Sequence, residues 1–181
     1  MKYVSLVLFA IVIFISASLI RASGDQPVFV TEFIGQMDFV KGRLMQLADA
    51  MPEDKYNWSP AEGVRSVGEV YSHDAEANFY LVTVIKGTKP DMNQEKSPID
   101  KKSALAMLEK SIEAVKEAAS KLTEEDLNKE VDAFGMKFSL RNSFSMVLYK
   151  TSLFLLVLVL LVALSLLFGT LNTIFGLRFS L

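Results

Sequence analysis

From Thr151 to Leu177 the chain carries no charged side chain. That is 27 residues, against the roughly 20 that cross the hydrocarbon core of a bilayer as a helix. Leu153 to Phe168 is almost purely Leu, Val, Phe and Ala, and Arg178 follows close to the end. Taken at face value the segment is a transmembrane helix. The competing reading is a buried helix of a bundle. Such a helix normally keeps a polar face, and here only Ser152 and Ser165 are polar between Ser152 and Phe168.

The other end is apolar too. Lys2 precedes an apolar run from Val4 to Ile20, and Arg21-Ala22-Ser23-Gly24-Asp25 follows. A basic start, an apolar stretch and small residues before a polar segment describe a secretory signal, with Ala22 and Gly24 at −3 and −1 and cleavage before Asp25. An uncleaved signal anchor is the alternative, because the run approaches spanning length. Between these ends the composition is that of one soluble domain. The net charge of −2 and the lack of a basic stripe argue against nucleic acid as a partner. With no cysteine, disulfides, thiolate metal ligands and a cysteine nucleophile are excluded.

Four helices are predicted. The first runs from Glu32 to Met51 with Thr31 as N-cap and the stripe Phe33, Met37, Val40, Leu44, Leu47 and Met51; Pro52 stops it. The second opens on Ser66-Val67-Gly68-Glu69, a capping box, carries Val67, Val70, Ala77, Leu81 and Val84 inward, and closes at Gly87. The third spans Asp100 to Leu122, capped from Ser97-Pro98-Ile99-Asp100, with Leu105, Leu108, Ile112, Val115, Ala119 and Leu122 as its stripe. Thr123-Glu124-Glu125-Asp126 opens a short capped turn, and Glu130 to Phe138 reads as an irregular or weakly extended connection. The fourth helix starts near Leu140, with Ser139 as its cap, and continues into the apolar tail. Together they suggest an all-α, antiparallel four-helix bundle with one long connection.

Chemistry centres on His73, the only histidine. It borders the apolar seam of the second helix, and Asp74 sits in that seam. An ionised carboxylate inside a bundle is costly unless it is paired or binds a metal. The plainer alternatives are that Asp74 rotates outward or that the fourth helix never packs there. Adjacent helical residues diverge by about 100°, so His73 and Asp74 do not converge on one ion. Trp58, Tyr56 and Tyr71 read as packing residues, Arg65 as a loop-bracing charge, Asn78 as a hydrogen-bonding group within the bundle, and Glu69 as the capping-box acid. No phosphate-binding loop is present, and a nucleophile triad lacks its second histidine.

Tyr56-Asn-Trp-Ser-Pro, Gly63-Val-Arg-Ser-Val-Gly-Glu-Val-Tyr-Ser-His73 and Ala75-Glu-Ala-Asn78 resemble the DinB-like family, as do Leu108-Glu-Lys-Ser111, Ala114-Val115 and Phe134-Gly135. This is the four-helix-bundle family related to thiol-dependent transferases, not the DNA polymerase of the same name. The resemblance runs from about Val30 to Phe144. It implies a three-histidine site for a divalent metal, zinc or nickel, which activates a thiol or water for transfer or hydrolysis. It also implies a small-molecule substrate and a homodimer. By resemblance His73 is the helix-two metal ligand. The remaining ligands are a His-x-x-x-His pair on helix four. Here Lys150 and Phe154 stand at that spacing, and neither is a ligand. The family's usual Gly-Ile-x-Pro-Pro-like ending is also absent, and position 74, usually apolar in the family, is Asp.

The organisation expected from sequence is therefore a signal peptide or anchor over 1–24, a DinB-like bundle over 25–150 and an apolar segment over 151–177. The protein is expected to be exported, with a divalent-metal site held by His73 that lacks its pair. Two alternatives stand beside that. One is a non-catalytic bundle attached to a membrane by its C-terminal segment. The other is a family member damaged by a frameshift between Asn142 and Lys150.

Overall fold

The computed structural model describes residues 26–88, 100–133 and 135–175. The predicted signal segment, the Ser97-Pro98-Ile99 approach to the third helix, Phe134 and the last six residues lie outside them.

Helix α1 (Val28–Ala50) turns Val30, Phe33, Met37, Val40, Leu44 and Ala48 to the core, at three- and four-residue spacing. It begins before Thr31, the predicted cap. Pro27 is the N-cap residue, and its carbonyl accepts from Val30 N–H at 2.9 Å and Thr31 N–H at 3.2 Å. Proline fits a helix start because its fixed φ is helix-compatible and no N–H is needed there. The Thr31 hydroxyl instead donates to Gln26 Oε1 at 3.4 Å.

Helix α2 (Val67–Lys86) opens on the predicted capping box. Ser66 Oγ accepts from Glu69 N–H at 3.3 Å, and Glu69 Oε2 accepts from Ser66 N–H at 2.7 Å. These bonds hold the Glu69 carboxyl below its usual range. Gly87 closes the helix at φ 63, a left-handed conformation that glycine adopts without steric cost. Ser66→Ala is expected to lower stability by about 1 kcal/mol, seen as a lower urea midpoint at unchanged slope. An unmoved midpoint would mean that the box contributes nothing.

Helix α3 (Lys101–Ala119) is capped by Asp100, whose Oδ1 accepts from Ser103 N–H at 2.9 Å. Its core side carries Leu108, Ile112 and Val115, and its outer side ties to α1 through Lys116–Asp38 and Lys41–Glu113. A short helix α4 (Glu124–Asn128) follows, capped by Thr123. The segment read as irregular or weakly extended is extended, and forms a β-hairpin. Strand β1 (Glu130–Ala133) pairs antiparallel with β2 (Met136–Ser139), from Glu130↔Ser139 to Ala133↔Met136. Gly135, at φ 75, supplies the turn's positive φ. Four-residue strands are too short for alternation to announce them. Helix α5 (Leu140–Phe175) then starts as predicted, with Ser139 Oγ accepting from Asn142 N–H at 3.3 Å.

The four long helices form a ring in the order α1, α3, α2, α5. Their directions differ from the predicted antiparallel bundle. Lys101, at the start of α3, reaches Met51 O and the ring of Tyr56, while Tyr56 O accepts from Gly68 N–H at the start of α2. Helices α2 and α3 therefore begin at the same end and run parallel. Phe33 packs on Phe144, and Ser165 Oγ lies 3.5 Å from Met51 Sδ, so α1 and α5 run parallel as well. The two pairs oppose each other, giving an up-down-down-up bundle.

Helix α5 enters the core along a single seam: Leu140, Phe144, Val147, Thr151, Leu158, Leu161, Val162 and Ser165 are buried. Its other side leaves Leu153, Leu156, Val159, Leu160, Leu164, Leu166 and Leu167 exposed. The helix runs without a break past residue 150 and beyond its contact with the end of α1.

Candidate functional site

The site predicted around His73 lies where α2 crosses α5. Thr151 Oγ1 donates to Asp74 Oδ1 at 3.1 Å, and Lys150 Nζ donates to His73 O at 3.4 Å. These two contacts set the register of the crossing.

His73 is half-buried. Its Nδ1 lies 3.4 Å from Glu76 Oε2, one turn along α2, and its ring meets Phe154 edge-on with centroids 5.4 Å apart. Burial depresses the imidazole pKa, the charges of Lys150 and Arg65 depress it further, and Glu76 opposes them. At neutral pH the ring is uncharged and its contact with Glu76 is a hydrogen bond rather than an ion pair. The Lys150 ammonium sits over the face of Phe154, 4.8 Å from the ring centre. It also borders an open groove of about 530 Å³ that includes Met146, Tyr149 and Leu153.

Asp74 does not rotate outward. It is 2% exposed, and Oδ2 finds no donor among the described residues. Burial raises its carboxyl from the ordinary 3.8 to about 6, against the opposing pull of Lys150 and the Thr151 hydrogen bond. One turn further on, Asn78 Nδ2 donates to Ser111 Oγ at 3.1 Å, and Ser111 Oγ donates to Leu108 O at 2.7 Å. Asn78 thus bonds within the bundle as predicted. Tyr56 and Tyr71 are packing residues, stacked at 5.9 Å, and Tyr71 OH donates to Leu44 O at 2.8 Å. Sequence reasoning missed Thr151. Its signal was its place on the seam that runs through Phe144, Val147 and Leu158, one residue from Lys150.

The residues present do not fit a three-histidine metal centre. Lys150 and Phe154 are the α5 side chains that meet His73, one an ammonium that repels a cation and the other a hydrocarbon ring. Asp74 is buried in the core, where Thr151 engages it, and does not converge with the His73 ring on one ion. Among the described residues no three His, Cys, Asp or Glu side chains come together to hold a metal.

A family model described as the DinB superfamily matches residues 36–150. Among solved structures, a DinB-like protein from Bacillus subtilis superposes with a TM-score of 0.61 at 23% identity, over 73% of this chain and 90% of that one. A DinB-like protein from Bacillus cereus ATCC 10987 superposes with a TM-score of 0.64 at 16% identity, over 74% of this chain and 90% of that one. Comparison with curated protein sequences gave no match. These likenesses carry the fold, and the matched region contains the capping box, His73 and the start of α5. The chain belongs to the DinB superfamily.

Proposed function

We propose that this chain is an exported DinB-type bundle attached to a membrane, working as a binding module rather than as a metalloenzyme. The observation that carries the reading is the outer side of α5, where seven Leu and Val side chains from Leu153 to Leu167 face away from the core with no charge between them. Exposed apolar surface of this extent on a soluble monomer marks an interaction or membrane site. Among the described residues, α5 is the helix long and apolar enough to cross a membrane, over Leu140–Leu167. Lys2, the Val4–Ile20 run and the Ala22–Gly24 segment support export. The replacement of the α5 ligand pair by Lys150 and Phe154 supports a role without metal.

Two measurements test the two halves. The full chain is expected to float with phospholipid vesicles in a density gradient, and protein that stays at the bottom would sink the attachment. After equilibration with zinc or nickel and dialysis, it is expected to retain no stoichiometric metal, with or without His73→Ala. One equivalent of metal lost on His73→Ala would overturn the metal-free reading and restore His73 as a ligand.

A further inference from the structure

Resting on the membrane attachment proposed above, we infer that α5 lies along the bilayer surface, with its outer side in the lipid, and does not cross it.

The helix cannot complete the bundle and span at once. Phe144, Val147, Leu158, Leu161 and Val162 are between 1% and 6% exposed, held in the core with α1 and α2. A spanning α5 must withdraw these residues and leave the stripes of three other helices uncovered. Each large apolar side chain taken out of the core loses roughly 1.5–3 kcal/mol of burial, so the core side opposes spanning. The described part of α5 beyond Ser165 is too short to span on its own. Residues 166–175 reach about 15 Å at 1.5 Å per residue, half the roughly 30 Å of hydrocarbon. The outer side asks for no such withdrawal. It is apolar from Leu153 to Leu167, and its borders carry cations resting on rings: Lys150 over Phe154 at 4.8 Å, and Arg43 over the exposed Phe39 at 5.1 Å. Phe39 continues the apolar surface from α5 onto α1, across a groove shared with Leu148 and Ser152. An apolar strip bordered by cations is the pattern of a helix lying in the headgroup boundary. The acids nearby are Glu32 on the α1 side and Glu76 on the α2 side, the latter engaged with His73.

The chain has no cysteine, so single cysteines report without background. Leu153→Cys, Leu160→Cys and Leu167→Cys in the full chain, each at an exposed position, take an environment-sensitive fluorophore. Vesicles of mixed phosphatidylcholine and phosphatidylglycerol are then added, with nitroxide quenchers set at a shallow or a deep position in the lipid. The expected result is a blue shift at all three sites on vesicle addition, with shallow quenching equal among them. A spanning helix spreads these sites over about 21 Å of depth and makes shallow-to-deep quenching ratios differ several-fold, which would overturn this inference and leave the attachment standing. No shift at any site would overturn both. Labels already shielded from iodide before vesicles are added would show the side covered by a second copy or by the N-terminal run, and would overturn the lipid assignment.

Discussion

Phe144→Ala is expected to lower stability by about 3–5 kcal/mol, a large part of the 5–15 kcal/mol that holds a typical domain together. Phe144 is 1% exposed and meets Phe33 edge-on at 4.6 Å and Phe29 at 6.1 Å. Its removal opens a void between two helices whose backbones are fixed elsewhere by capping and by the core, so little of the space can close. The loss therefore combines transfer, cavity and aromatic-pair contributions. Leu160→Ala on the same helix is the control. Its side chain is 54% exposed, and the expected change stays within about 0.5 kcal/mol. Urea denaturation of the two variants compares the two sides of α5 directly. Equal effects would mean that α5 is not seated in the bundle along the seam described, and the placement of Lys150 and Thr151 against α2 would fall with it.

Asp74→Asn is expected to stabilise the protein by up to about 3 kcal/mol at pH 8 and by only about 0.5 kcal/mol at pH 4. Folding raises the Asp74 carboxyl from 3.8 to about 6. The folded state then holds a proton that the unfolded state has released. Stability falls as pH rises through that window, and the full penalty, about 3 kcal/mol for a displacement of this size, is present above it. Asparagine has no charge to desolvate. It keeps an acceptor for the Thr151 hydroxyl. The groups that act on Asp74 are Lys150 and Thr151 from α5, with Tyr71 and His73 nearby on its own helix. His73 has its own pH dependence of opposite sense, losing stability as pH falls, and this cancels when the variant is compared with the parent. The test is the difference in urea midpoints between pH 4 and pH 8. Parallel curves would show that Asp74 is hydrated and ordinary.

What could be read from the sequence was what short-range chemistry determines. Ser66 with Glu69, Gly87, Asp100, Thr123 and Ser139 act within a few residues, and each is in the predicted role. Thr31 failed as a cap because Pro27, four residues earlier, suits a helix start as well and the first turn is apolar enough to pack. The seam of α5 was invisible for a different reason. When nearly every position is Leu or Val, periodicity has no contrast, and only packing against α1 and α2 decides which third of the helix is inside. The parallel run of α2 and α3 depends on the path of the chain between Gly87 and Asp100, where a polar, proline-containing connection fits a short turn or a long return equally well. At the site, the spacing of Lys150 and Phe154 located them correctly against His73. The partner of Asp74 was missed because Thr151 was counted into the apolar tail and not onto the core.

The ring order has a consequence for biosynthesis. Helix α5 neighbours both α1 and α2, and it is the last of the described helices to leave the ribosome. Until it arrives, the side of the nascent chain carrying Phe33, Val40 and Tyr71 has no cover, and Asp74 has neither Thr151 nor Lys150 beside it. The earlier helices can form, but they form an open trough, the kind of intermediate that aggregates or engages chaperones. The segment that closes the trough is also the most apolar of the described helices, so until it docks, its own Leu and Val side chains stand exposed together with the stripes it covers.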